Sequence, residues 1–168
     1  IYKPGEVKPS LSPSMDVQVS SNFERLLFDA LEFDDKKVAE SMKLLTLNGS
    51  YKIDERAMNI IKKNFYAKRV SDSKTLEIIK NFAEKFNFIL DPHTATAVEA
   101  SKSIKEKHEV LVLGTAHPFK FLDTIKLATS KKIMIPEQAK SILDKKEKFD
   151  VLGKDINKIK KYILEKLT

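Results

Sequence analysis

Phe88-Ile89-Leu90-Asp91-Pro92-His93-Thr94-Ala95 and, further on, Val110-Leu111-Val112-Leu113-Gly114-Thr115-Ala116-His117-Pro118 repeat one pattern: an apolar run, a polar cluster, then a helical periodicity. Short apolar runs suit strands, and the unbroken run at 110–113 suits one buried on both faces. The first helix extends from the Asp91 cluster to about Lys107, the second from about Phe119 to Ala128. Strand, turn and helix in repetition predict an α/β arrangement with parallel strands. Such sheets take ligands at the carboxyl ends of their strands. Both polar clusters therefore stand where chemistry is expected.

Upstream, Pro4, Pro9 and Pro13 predict an extended lead-in over 1–14. Met15-Asp16-Val17-Gln18-Val19 alternates apolar and polar, as a half-buried strand does. Ser20-Ser21-Asn22 then opens a helix, with Ser20 or Ser21 as cap and Glu24 in its first turn. Phe23, Leu27, Leu31 and Leu26, Ala30, Phe33 form its expected buried face. Asp34-Asp35 caps a second helix that runs to about Leu47 and stops at Asn48-Gly49. Asp54 opens a third, with Ala57, Ile60, Ile61 and Phe65 on one side. Ser71 or Asp72 caps a fourth, striped by Leu76, Ile79, Phe82, Ala83 and Phe86. Pro136 opens a short helix, and residues 150–167 read as a Lys-rich helix with Ile156, Ile159, Ile163 and Leu167 inward. There is no internal repeat.

The 168 residues are 42% hydrophobic and 33% charged, enough for one domain with a core. Absence of cysteine excludes disulfides, thiolate zinc sites and a cysteine nucleophile. His93, His108 and His117 are too far apart for a local metal cluster, so no metal is expected. No apolar stretch approaches the roughly 18–20 residues that span a bilayer, and residues 1–14 lack the apolar core of a secretory signal. A sequence opening on Ile1 leads us to expect part of a longer protein. The net charge of +7 raises nucleic acid as a partner. Arginine, however, occurs only at Arg25, Arg56 and Arg69, and the lysines alternate with Glu and Asp as on a solvated helix face. Neither nucleic acid nor membrane is expected as a partner.

On local chemistry alone, Thr115 either turns its hydroxyl into a crevice or caps the next helix, and His117 either faces that crevice or donates to backbone. His93 carries the same two readings. Ser20-Ser21-Asn22 either offers amides to an anion or caps a helix. Glycine occurs only at Gly5, Gly49, Gly114 and Gly153, so a glycine-rich phosphate cradle is missing. No Ser-His-Asp spacing or HExxH motif is present.

A resemblance goes further. Ser12-Pro13-Ser14-Met15-Asp16-Val17-Gln18-Val19-Ser20-Ser21-Asn22-Phe23-Glu24-Arg25-Leu26-Leu27-Phe28 closely resembles a signature of the long, yeast and bacterial form of threonine synthase. Leu90-Asp91-Pro92-His93-Thr94-Ala95 resembles that family's Leu-Asp-Pro-His-Thr-Ala segment, and Gly114-Thr115-Ala116-His117-Pro118-Phe119-Lys120-Phe121 its Thr-Ala-His-Pro-Ala-Lys-Phe segment. Thr96-Ala97 replaces the usual Val-Gly and Phe119 the usual Ala, which puts larger atoms near the expected crevice.

The resemblance implies a helix-rich α/β fragment of a pyridoxal 5'-phosphate enzyme of the tryptophan-synthase-β type (fold type II), with few parallel strands. Residues 15–33 and 88–130 would belong to its cofactor domain, 34–87 to a helical insertion and 131–168 to C-terminal helices. The implied reaction turns O-phospho-L-homoserine and water into L-threonine and phosphate, in the cytoplasm. Thr115, Ala116 and His117 are the implied cofactor contacts, and Ser20, Ser21, Asn22, Asp91 and His93 the crevice candidates. The Schiff-base lysine and glycine-rich loop belong to the family's upstream part, the expected partner of this chain. Lys120 has another place in the pattern and does not substitute. This chain alone is therefore expected to be inactive. Two alternatives are a threonine-synthase-like phospholyase of the same fold type and a non-catalytic helical binding module.

Overall fold

The computed structural model describes residues 1–104, 109–143 and 145–167. Helices form where the sequence supplies caps: Ser21–Ala30 (α1), Asp35–Asn48 (α2), Glu55–Asn64 (α3), Asp72–Phe86 (α4) and Pro92–Ser101 (α5). Asp34 accepts from the Lys37 amide, Asp54 from those of Arg56 and Ala57, Ser71 from that of Lys74, and Asp91 from those of His93 and Thr94. These bonds serve first-turn donors that lack helical partners. Helix α2 ends at Gly49 with φ 68°, the left-handed region. A Cβ there would meet nothing, so conformation rather than space selects glycine. A 3₁₀ turn at Pro118–Phe121 leads into Leu122–Ala128 (α6); Glu137–Leu143 (α7) and Ile156–Leu167 (α8) follow.

The chain divides into two compact units, residues 1–133 and 134–168. In the first, Leu27, Ala30, Tyr51, Ile53 and Ala57 form one buried cluster where α1 meets α2 and α3. Tyr2 closes it: the Tyr2 and Tyr51 backbones exchange hydrogen bonds of 2.8 and 3.0 Å, and the Tyr2 ring stacks on Phe23. Ile78, Ile79, Leu90, Ala95, Ile125 and Ala128 form a second cluster, where α4 packs on α5 and α6. Lys68, on the crossover between α3 and α4, is tied to Glu99 of α5 at 3.0 Å. In the second unit, Asp155 accepts from the Asn157 and Lys158 amides at the start of α8.

The expected parallel strands are corrected: among the described residues the only β pairing is the isolated Tyr2–Tyr51 bridge. At 15–19, local bonds use the backbone instead. The Asp16 carboxylate accepts from the Ser10 amide and hydroxyl, and Pro13–Met15 coils into a 3₁₀ turn. At 88–90, the exit from α4 dominates: Asn87 adopts φ 50°, and the Phe88 amide donates to the Phe82 carbonyl. At 110–113 the described residues supply no neighbouring strand, and Leu111 and Leu113 are exposed. Helix boundaries also differ. Helix α1 stops at Ala30 because Glu32 and Phe33 take positive φ, which leaves Phe33 exposed. Phe65 ends α3 in extended backbone and is exposed rather than on the buried side. Helix α5 ends at Ser101; of its expected extension, 105–107 lie outside the described residues. Helix α8 begins only at Ile156, and Ile156, Ile163 and Leu167 are exposed rather than inward.

Candidate functional site

Asp91 is buried, and the start of α5 uses both of its carboxylate oxygens. One oxygen accepts from the His93 and Thr94 amides at 2.9 and 3.1 Å, and the other from the Thr94 hydroxyl. Pro92 supplies the first helical residue, which has no N–H to satisfy. This locks the start of α5. His93 is only 4% exposed, and both its ring nitrogens lack a hydrogen-bond partner among the described residues. Its ring meets Phe121 edge-on, with centroids 4.9 Å apart.

That contact brings the second polar cluster to the first. Gly114 lies beside Thr94, where an added Cβ would sit 3.9 Å from the threonine hydroxyl. Thr115 is exposed, makes no side-chain hydrogen bond among the described residues, and is not a helix cap. The cap of the 118–121 turn is His117, whose Nδ1 accepts from the Phe119 amide at 3.2 Å. His117 thus accepts from backbone, whereas one of its two readings had it donating. Ala116 is half-buried between them. Asp91, His93, Thr115, Ala116 and His117 therefore belong to one neighbourhood, the start of α5 and the loop that returns to it. His108 lies outside the described residues.

Ser20, Ser21 and Asn22 stand elsewhere, at the start of α1. Ser20 holds the cap position without a side-chain bond, and the Asn22 side chain accepts from Arg25. Ser20 and Ser21 line a cavity of about 180 Å³ with Tyr2, Glu24 and Tyr51. The Tyr51 hydroxyl is buried without a partner, and its burial, with Tyr2 and Glu24 nearby, pushes its pKa up to about 12. Sequence reasoning missed Tyr51, which reads there as one more apolar residue between helices. It also missed Glu99, whose carboxyl is held down to about 2 by its hydrogen bonds from Lys102 and Lys68. The Glu99–Lys102 spacing of three was a visible signal; the pairing with Lys68 needs the fold. Among the described residues no cluster could hold a metal ion, and no helix is long and apolar enough to cross a membrane.

Comparison with known proteins covers nearly the whole chain. The family model "Threonine synthase, C-terminal" matches residues 94–163. The chain is 34% identical to threonine synthase of Pseudomonas aeruginosa over 165 residues, 96% of this chain and 35% of that protein. It is 35% identical to the Saccharomyces cerevisiae enzyme, covering 96% of this chain and 37% of the relative. Among solved structures, the pyridoxal-phosphate-bound threonine synthase of Brucella melitensis superposes with a TM-score of 0.82 at 34% identity, over 98% of this chain and 36% of that one. The yeast threonine synthase structure follows at 0.79 and 32%, over 99% of this chain and 38% of that one. The chain thus spans little more than a third of the relatives it matches.

Proposed function

Because the chain belongs to the threonine synthase family and matches its C-terminal third, we propose that it is the C-terminal part of a pyridoxal-phosphate-dependent lyase. The whole protein converts O-phospho-L-homoserine and water to L-threonine and phosphate in the cytoplasm. The observation that carries this reading is the superposition of 98% of the chain on a threonine synthase structure with pyridoxal phosphate bound. Residues 15–33 and 88–130 are assigned to a cofactor domain of the tryptophan-synthase-β type, 34–87 to a helical insertion and 131–168 to C-terminal helices.

The residues present fit the cofactor at one side of its ring. Thr115 is exposed and its hydroxyl makes no bond among the described residues, which suits a donor to a ring nitrogen. Ala116 and His117 complete that edge, and the His117–Phe119 bond fixes the turn. When bound, pyridoxal phosphate supplies the electron sink for removing protons at the substrate's α and β carbons. Thr115 would hold the ring by a neutral donor and so orient it without fixing a positive charge on the nitrogen. Asp91 keeps the α5 start rigid beneath that loop, and the His93 ring braces Phe121. Ser20, Ser21 and Asn22, at the start of α1, are assigned to a substrate-side wall of the crevice, and Asp91 and His93, both buried, to its support. The lysine that holds the cofactor covalently is assigned to the upstream part of the protein.

The test uses the full-length protein, assayed for phosphate release from O-phospho-L-homoserine. Thr115→Val keeps volume and removes the donor, so it is expected to weaken cofactor retention or turnover by about 1–3 kcal/mol. Thr115→Ser keeps the donor and is expected to be far milder. Wild-type retention and turnover in the Val variant remove Thr115 from the site; no phosphate release by the unmodified protein removes the assigned reaction.

A further inference from the structure

We infer that Asn48, at the end of α2, is a site of spontaneous covalent modification, converting to aspartyl and isoaspartyl residues when the last turn of the helix opens. This is independent of the assigned reaction.

Asn48 is followed by Gly49, whereas every other asparagine of the chain precedes Phe, Ile or Lys. The amide of a glycine is the least hindered nucleophile that can follow an asparagine, since no Cβ crowds its approach. The helix end selects that glycine for another reason: the cap sits at φ 68°, which glycine adopts without steric cost. The stop signal of α2 and the reactive pair are therefore the same two residues. Both are exposed, and nothing lies within 4 Å of a Cβ placed on Gly49. The Asn48 carboxamide makes no hydrogen bond among the described residues.

The reaction needs no partner but water. The Gly49 amide gives its proton to solvent, and its nitrogen bonds to the Asn48 Cγ. The bond from Cγ to the side-chain nitrogen breaks, and that nitrogen takes up a proton and leaves as ammonia. A five-membered imide remains. Water then opens it at either carbonyl. Opening at Cγ leaves aspartate; opening at the backbone carbonyl leaves isoaspartate, whose backbone is longer by one methylene.

The fold governs the rate. The Gly49 amide donates to the Leu45 carbonyl at 2.9 Å. The imide nitrogen carries no proton, so that bond and the ring exclude each other. Helical backbone at Asn48 also aims the Gly49 amide along the helix, away from the Asn48 side chain. Conversion therefore waits on fraying of the last turn. Leu45 packs against the cluster of Tyr51 and Ala57 and holds that turn shut. The products act on the same cluster. Either one sets a carboxylate at the negative end of α2, whose last turn holds no basic side chain to offset it. Isoaspartate also lengthens the backbone just ahead of Tyr51, which is 4% exposed and exchanges hydrogen bonds with Tyr2.

The experiment ages the full-length protein in mildly alkaline buffer and follows the tryptic peptide of residues 44–52 by mass and by retention, which separates the two products. Conversion at Asn48 is expected to outrun that at every other asparagine. It is expected to be about two- to tenfold slower than in the same peptide free in solution, the factor that one hydrogen bond imposes. Leu45→Ala is expected to speed conversion at Asn48 alone; where that variant does not fold, urea below the unfolding transition opens the same turn and is expected to do likewise. Gly49→Ala is expected to slow it to the level of the other asparagines, even though the cap is then strained. In the converted protein, hydrogen exchange is expected to quicken around Tyr2 and Tyr51. No conversion at Asn48, conversion no faster than elsewhere, or full conversion in Gly49→Ala overturns the site. A rate that ignores both Leu45→Ala and urea, or unchanged exchange at Tyr2 and Tyr51, overturns its coupling to the fold.

Discussion

Glu99 faces two ammonium groups, Lys102 at 2.9 Å and Lys68 at 3.0 Å, and one of them comes from the crossover ahead of α4. Their hydrogen bonds hold its carboxyl down to about 2, against an ordinary 4.5. A carboxyl whose folded value is depressed adds stability above its unfolded value and loses it as pH falls toward the folded one. The Glu99 contribution is therefore complete above about 4.5 and is lost on the way down to about 2. Urea midpoints from pH 6 to pH 2.5 are expected to show the unmodified chain losing its advantage over Glu99→Gln in that window. A constant difference across it contradicts this. At this scale the sequence is a partial guide. Asp91 and Asp54 announce themselves by standing ahead of helical periodicity, because capping is local. The partner of Lys68 lies 31 residues away and is chosen by packing, so nothing beside Lys68 in the sequence names it.

Helix α5 depends on one side chain at its start more than the other helices do. The carboxylate that caps it is 2% exposed and serves two amides and a hydroxyl together. Asp91→Ala is expected to cost about 2 kcal/mol, since it removes a cap and strands buried donors; Asp91→Asn keeps an acceptor and is expected to cost less. Thermal unfolding of the three chains decides it, and equal midpoints contradict it. Helices of this kind were readable because cap, stripe and stop lie within one segment, as Asp34, Val38 and Gly49 do in α2. Strands were not. A strand is completed by a neighbour, and the alternation of Met15, Val17 and Val19 records only a preference for a buried face. Those three side chains are each more than half exposed. The run at 110–113 likewise speaks of burial that the described residues do not provide.

Several large apolar side chains stand exposed in each of the two units. Leu111 and Leu113 are 86% and 69% exposed in the first unit, and Ile156, Ile163 and Leu167 are exposed along α8 in the second. The 168-residue chain is expected to bind an apolar dye and to self-associate with rising concentration in sedimentation velocity. A monodisperse monomer at high concentration with cooperative unfolding contradicts this. The Tyr2–Tyr51 bridge bears on a different matter, the timing of biosynthesis. A ribosome adds about 5–20 residues per second, and domains generally fold as they emerge, so the 49-residue step from Tyr2 to Tyr51 takes roughly 2–10 s to make. Tyr2 and Phe23, whose rings stack in the folded chain, both leave the ribosome before Tyr51 does. The Tyr2–Tyr51 pairing is thus available only once Tyr51 has emerged, and slow codons between the two would lengthen that interval.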